Sequence, residues 1–365
     1  MYFLKQHIKY IYKNFFHLNL TLYERECKIL DDALKVSETK KELKENLKGK
    51  LGHCYHEKIN EYLYDKINNN NNSIIKLLKN INIKDKKKIF FYYKFFIFKG
   101  WLVESYYLRQ EYLKLKKSKI NNNLNIIEKN NLRSHFRLYN HLKKHTKVNQ
   151  KLKKLICSKK VAIVGPALSD QINGKEIDKF DIVVRINQID RSNLSTKVKG
   201  NKTDIIFLNG TKSEQVIKEK RFNFLKKAKA IIFKTDGYIK YFKNKGFINT
   251  YKYINIDNYM LVGISNILPY ALFQILLCEP ASVKIFDNDF LINPKRVKNY
   301  EKHNLDQKTN FLRIIFLHDP LSQFNFVRLI CNATKTIKGD KKFTKAIKLD
   351  QKEFLSKLEN SYDLH

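Results

Sequence analysis

Residues 161–188, VAIVGPALSDQINGKEIDKFDIVVRINQ, constrain this chain more than any other stretch. Residues 161–164 form a short apolar, β-branched run that stops at Gly165-Pro166. A polar loop follows, then Glu176-Ile177-Asp178, then a second apolar run over residues 181–186 that ends on Arg185-Ile186-Asn187. Hydrophobicity that is continuous rather than alternating marks strands covered on both faces. The stretch therefore predicts two buried parallel strands with a turn at the carboxyl end of the first. Open α/β sheets bind ligands beyond the carboxyl ends of their strands. Gly165, which has no Cβ, would let a ligand approach the backbone there.

The same pattern continues downstream. Further strands are expected over residues 203–208, 230–234 and 251–256. The first of these ends at Asn209-Gly210. An amide there can read a base or a sugar hydroxyl, and it can equally be a plain Asn-Gly turn. A helix is expected from Tyr270 to Cys278, capped by Ser265 or Asn266, with Pro269 tolerated in its first turn. Such a start presents free N–H groups and positive potential to a phosphate; a simple capped helix has the same sequence. No G-x-G-x-x-G follows Val164, which argues against a dinucleotide site.

The first 150 residues read differently. Residues 43–63, 74–81 and 88–115 carry apolar positions at three- and four-residue spacing, which predicts helices. Asparagine runs at 68–72 and 121–123 mark loops. The expected division is a helical region over 1–150, an α/β domain over 151–340 and a C-terminal helix or tail over 341–365. The aromatics Phe90, Phe91, Tyr92, Tyr93, Phe95 and Phe96 suit a core. Beside Lys86, Lys87 and Lys88 they also suit a helix lying at a membrane surface.

Charge bounds the partners. The chain of 365 residues has 72 Lys+Arg against 35 Asp+Glu, a formal net charge of +37. One reading of the lysine, asparagine and isoleucine load is codon bias, as an AT-rich genome would give. A protein so basic is nevertheless drawn to anionic surfaces and substrates, so peripheral contact with an anionic membrane is expected. No nucleic-acid-binding module is present, and no nucleic-acid partner is expected. Lys5, His7, Lys9, Lys13 and His17 interrupt the amino-terminal apolar patches, so no signal peptide is expected. Residues 89–103 contain Lys94 and Lys99 and are too short and too charged to span a bilayer. Cys27, Cys54, Cys157, Cys278 and Cys331 include no C-x-x-C pair; reduced, buried thiols are expected rather than a zinc site.

Residues 161–203 resemble the large sialylmotif of the sialyltransferases of glycosyltransferase family 29. That motif has a strand, a glycine turn, E-I-D, D-x-V-x-R-x-N and then G-x-K-T. This chain supplies Gly165, Glu176-Ile177-Asp178, Asp181, Val183, Arg185 and Asn187, and later Gly200, Lys202 and Thr203. The stretch is also similar to the bacterial family 42 sialyltransferases. Residues 261–286 resemble the small sialylmotif, with Ala271-Leu272, Cys278 and residues 283–286 in its places and Ser265-Asn266-Ile267 where the family has Ser-Thr-Gly. The family has Gly-Asn where this chain has Gly165-Pro166. Animal members join cysteines near Cys157 and Cys278 by a disulfide and carry an amino-terminal anchor. The expectation for this chain is an unanchored, bacterial-type enzyme, cytoplasmic or peripheral at the inner membrane.

The resemblance implies a Rossmann-like sialyltransferase domain, a variant of the GT-A fold, preceded by an all-helical N-terminal domain. It implies an inverting transfer of sialic acid from a cytidine-monophosphate donor to a glycan such as lipooligosaccharide or capsule, with no cofactor. Metal-independent catalysis is expected. By position, His318 in Phe316-Leu317-His318-Asp319-Pro320 matches the family's catalytic base, and Gln323 stands where the family has a glutamate. His303 matches the histidine thought to assist the leaving phosphate. A histidine suits the base because its pKa lies near neutrality. Gly165, Pro166, Asn187, Asn209, Ser265 and Asn266 are the expected donor contacts. Two other readings stay open: a transferase using another cytidine-activated acid sugar such as Kdo, and a non-catalytic basic glycan- or membrane-binding protein with a degenerate core.

Overall fold

The computed structural model describes residues 93, 96–97, 100–115, 126–128, 131–188, 196–261, 265–295 and 307–364. The chain divides into two compact units, residues 1–117 and 118–365. The expected helices at 43–63 and 74–81, both asparagine runs, Cys27, Cys54 and His303 lie outside the described residues.

In the first unit the described helix is α1 (Leu102–Leu115). The single helix expected over 88–115 is instead interrupted at Gly100, whose φ of 80° only glycine adopts freely. Trp101 N–H donates back to the Phe96 carbonyl (2.9 Å), the wide closing bond of a left-handed helix cap. Tyr93 and Phe96 are buried, which favours the core reading for those two aromatics. Arg109 is buried as well and donates to Tyr93 Oη at 3.1 Å.

The second unit is an α/β domain around a seven-stranded parallel sheet of order β5-β4-β3-β2-β1-β6-β7. The strands are β1 (Lys160–Val164), β2 (Ile182–Ile186), β3 (Ile205–Leu208), β4 (Ala230–Phe233), β5 (Thr250–Lys252), β6 (Ser282–Phe286) and β7 (Ile337–Gly339). Every residue of β2, β3 and β4 is buried, because helices cover both faces. The edge strands β5 and β7 are short and partly exposed. From β1 the chain adds strands in one direction as far as β5. It then returns to place β6 on the opposite side of β1. That reversal, between the carboxyl ends of β1 and β6, is where open α/β sheets leave a crevice.

The fifth strand is shorter than the apolar run predicts. Gln274 explains where it stops: its side chain donates to the Lys252 carbonyl (3.1 Å) and accepts from Ile254 N–H (3.2 Å), satisfying backbone groups that a longer strand would have paired. The boundary expected near residue 150 falls inside this unit. Helix α2 (Leu132–His145) packs against the later helix α11 (Pro320–Ala333), with His135 and Asn332 joined at 3.3 Å. The C-terminal segment belongs to the same unit. Helix α13 (Gln351–Ser361) begins at a capping box of Asp350 and Glu353 and stacks Phe354 on Phe324 at 4.3 Å.

Cys157, Cys278 and Cys331 are free thiols. Burial pushes Cys278 and Cys331 up to about 12, so both are protonated and inert at neutral pH. No helix among the described residues is long and apolar enough to cross a membrane.

Candidate active site

A cleft of about 530 Å³ opens at the reversal between β1 and β6. Pro166, Asn187, Asn209, Ser265, Asn266 and His318 all line it. They come from the exits of β1, β2 and β3, from the start of helix α9 (Ile267–Leu277), and from the junction between helix α10 (Gln307–Leu317) and α11.

Gly165 is not among the residues lining this cleft, and its lack of a side chain serves packing. A Cβ there would lie 2.4 Å from the Asp287 carbonyl oxygen, so any side chain would force β1 and β6 apart. Its N–H continues the ladder to the Phe286 carbonyl at 2.8 Å.

Much of the rest of the large motif is hydrogen-bonded together around Arg185. Arg185 is 1% exposed; its Nε donates to the Lys202 carbonyl and Thr203 Oγ1, and its Nη2 to the Lys199, Gly200 and Lys202 carbonyls, all at 2.8–3.2 Å. Asp178 accepts from Asn201 and Lys202 N–H at 2.8 Å, and Asp181 from Lys160 N–H at 2.8 Å. Both carboxylates therefore fasten backbone, Asp178 at a helix end and Asp181 just before a strand. Asn187, left-handed at φ 54°, accepts from Asn209 N–H at 3.0 Å. Asn209 is not a turn residue. It is the N-cap of helix α6 (Gly210–Lys218), its Oδ1 accepting from Lys212 N–H at 2.8 Å.

Sequence reasoning missed Lys199. It is 3% exposed, and its ammonium meets Asp287 Oδ2 at 2.7 Å and the carbonyls of Gly165 and Ala167 at 3.1 and 2.7 Å. One buried cation thus ties the β1 turn to the β6 exit. Burial lowers its pKa to about 8, opposed by the neighbouring Asp287 carboxylate. Asp287, Phe290 and Leu291 after β6 have φ of 52°, 56° and 73°, conformations that cost energy in residues with side chains and concentrate at functional sites. Phe290 is held edge-on against Phe324 at 5.4 Å. Lys234, at the exit of β4, also lines the cleft, with its ammonium 5.7 Å from the Tyr270 ring centroid; burial lowers its pKa. Neither lysine could be singled out among 72 Lys+Arg. The Asp287-Asn288-Asp289 run at a strand exit was the legible signal for that side.

The far wall is less saturated. Asn266 is the N-cap of α9 by backbone geometry, but its side chain makes no capping bond. Its N–H donates instead to Gln323 Oε1 at 3.0 Å. Ser265 N–H reaches Tyr270 Oη at 3.4 Å, while Ser265 Oγ, buried, has no partner. His318 is half-buried, its N–H bonded to the Ile314 carbonyl at 2.8 Å. The following Asp319 is the N-cap of α11. One carboxylate oxygen takes Leu321 and Ser322 N–H, and the other takes Ser322 Oγ at 2.6 Å.

A parallel α/β sheet with a lined crevice at its reversal is the place where folds of this class take a ligand. The chain belongs to glycosyltransferase family 29 (sialyltransferase), whose family model matches residues 107–304. It is a glycosyltransferase of the sialyltransferase type, a class that joins a sugar donor to a glycan acceptor. The match stops short of His318. No curated protein and no solved structure matches the chain.

Proposed function

We propose that this chain transfers sialic acid from cytidine-monophosphate sialic acid to a glycan hydroxyl, with inversion and without a metal ion. In this step the acceptor oxygen attacks the anomeric carbon from the face opposite the phosphate. The new C–O bond forms as the bond from that carbon to the phosphate oxygen breaks. His318 takes the acceptor proton, and cytidine monophosphate leaves with the bonding pair. Donors at the start of α9, with His303 beyond the described residues, would stabilise the departing charge. The observation that carries this reading is that His318 and the α9 start line one cleft at the β1–β6 reversal.

The direct test is release of cytidine monophosphate from cytidine-activated sialic acid in the presence of lipooligosaccharide, with cytidine-activated Kdo run beside it. Turnover of the sialic acid donor that survives EDTA supports the proposal. Turnover of the Kdo donor alone would move the assignment to another acid sugar, and metal dependence would remove the cation-free mechanism. Binding of glycan or anionic vesicles with no turnover of either donor would favour the non-catalytic reading.

A further inference from the structure

Gln323 is 5% exposed and lines the cleft. Its amide orientation is fixed, because Asn266 N–H can be accepted only by the Oε1 end. The Nε2 group is thereby left buried with no partner. Ser265, 3% exposed and lining the same cleft, has a hydroxyl that is a second buried polar group with no partner. Both neighbour the amino end of α9, an eleven-residue helix whose capping side chain is uncommitted. An orphaned buried donor costs on the order of 1–3 kcal/mol, so two in one place call for an acceptor. The helix end adds positive potential. Asp287, which also lines the cleft, is already offset by Lys199.

We propose that Gln323 Nε2 and Ser265 Oγ donate to an oxyanion of the sugar-nucleotide donor, so that Gln323 is a donor-binding residue as well as a brace for the α9 start. The inference rests on the nucleotide reading given above. It assigns a specific meaning to this chain's departure from its family. A glutamate at this position would also accept from Asn266 N–H, but it would offer a carboxylate where Gln323 offers N–H bonds. The shared ligand chemistry is an oxyanion, which the donor carries both as phosphate and as the sugar-acid carboxylate.

The test is calorimetric titration of the full chain and of Gln323→Glu with cytidine monophosphate, cytidine and free sialic acid, alongside thermal unfolding. Gln323→Glu keeps the acceptor for Asn266 and should fold. It is expected to weaken cytidine monophosphate roughly 10- to 100-fold while leaving cytidine unchanged, the size of a lost charge-assisted bond. Loss for free sialic acid, with cytidine monophosphate spared, assigns the donors to the carboxylate instead. Gln323→Met separates donor loss from charge repulsion: it too should weaken the anionic probe and spare cytidine. If both variants bind every probe like the wild type, or lose cytidine as much as the anion, Gln323 is only a brace and the proposal fails. A wild-type chain that binds no cytidine monophosphate overturns the nucleotide reading itself.

Discussion

The two walls of the cleft are built on opposite principles. On the β1–β2 wall nearly every polar group described is committed within the protein. Arg185 fastens carbonyls at 199, 200 and 202, Asp178 fastens the same loop from its other side, and Lys199 joins the β1 turn to Asp287. On the α9–α11 wall Ser265 Oγ and Gln323 Nε2 are buried without partners. A committed polar group holds shape; an uncommitted buried one represents a cost that a ligand can remove. The comparison assigns the first wall to architecture and the second to binding.

Substitutions should therefore separate activity from stability, wall by wall. The largest effect is expected at His318. His318→Ala should lower kcat by roughly 10²–10⁴-fold, the usual contribution of a general base, with little change in thermal unfolding. Turnover equal to wild type would remove His318 from the mechanism. On the other wall, Lys199→Met strands the Asp287 carboxylate in the interior. It should cost about 3–5 kcal/mol in urea unfolding. Adding Asp287→Asn, which removes the orphaned charge and tolerates the left-handed backbone, should recover part of that loss. A Lys199→Met protein as stable as wild type would mean the pair holds nothing. Ser265→Ala is expected to be milder, about 1–2 kcal/mol in cytidine monophosphate affinity with stability unchanged.

The smallest effect is one of pH. Lys199 titrates near 8 in the folded protein and in the ordinary lysine range when unfolded. Between those values the unfolded chain holds more protons, so this group's contribution to stability rises as pH increases across that window and is flat below it. The stability difference between wild type and Lys199→Met should follow that slope. A difference that does not vary over the window would contradict the lowered pKa.

The sequence was most legible where side-chain chemistry and periodicity coincide. The runs around Val161, Ile182, Ile205 and Ile231 are buried strands because their continuous apolar character demands cover on both faces. Several large-motif residues, Asp178, Arg185, Gly200, Lys202 and Thr203, stand out in sequence because one knot uses them together. Less was legible where function depends on a partner distant in sequence. Gly165 packing against Asp287 and the orientation of Gln323 are both set by contacts across the fold. Lys199 carried no local mark among so many lysines. The boundary near 150 marks the change from helical to strand pattern, whereas the compact unit begins earlier because α2 packs on α11.

The most direct measurement is a crystal structure of the chain bound to cytidine monophosphate. The account predicts the phosphate at the start of α9, within hydrogen-bonding distance of Ser265 Oγ and Gln323 Nε2, with the sugar-facing side open toward His318. A nucleotide seated elsewhere, or one whose phosphate leaves both donors unpaired, would contradict it.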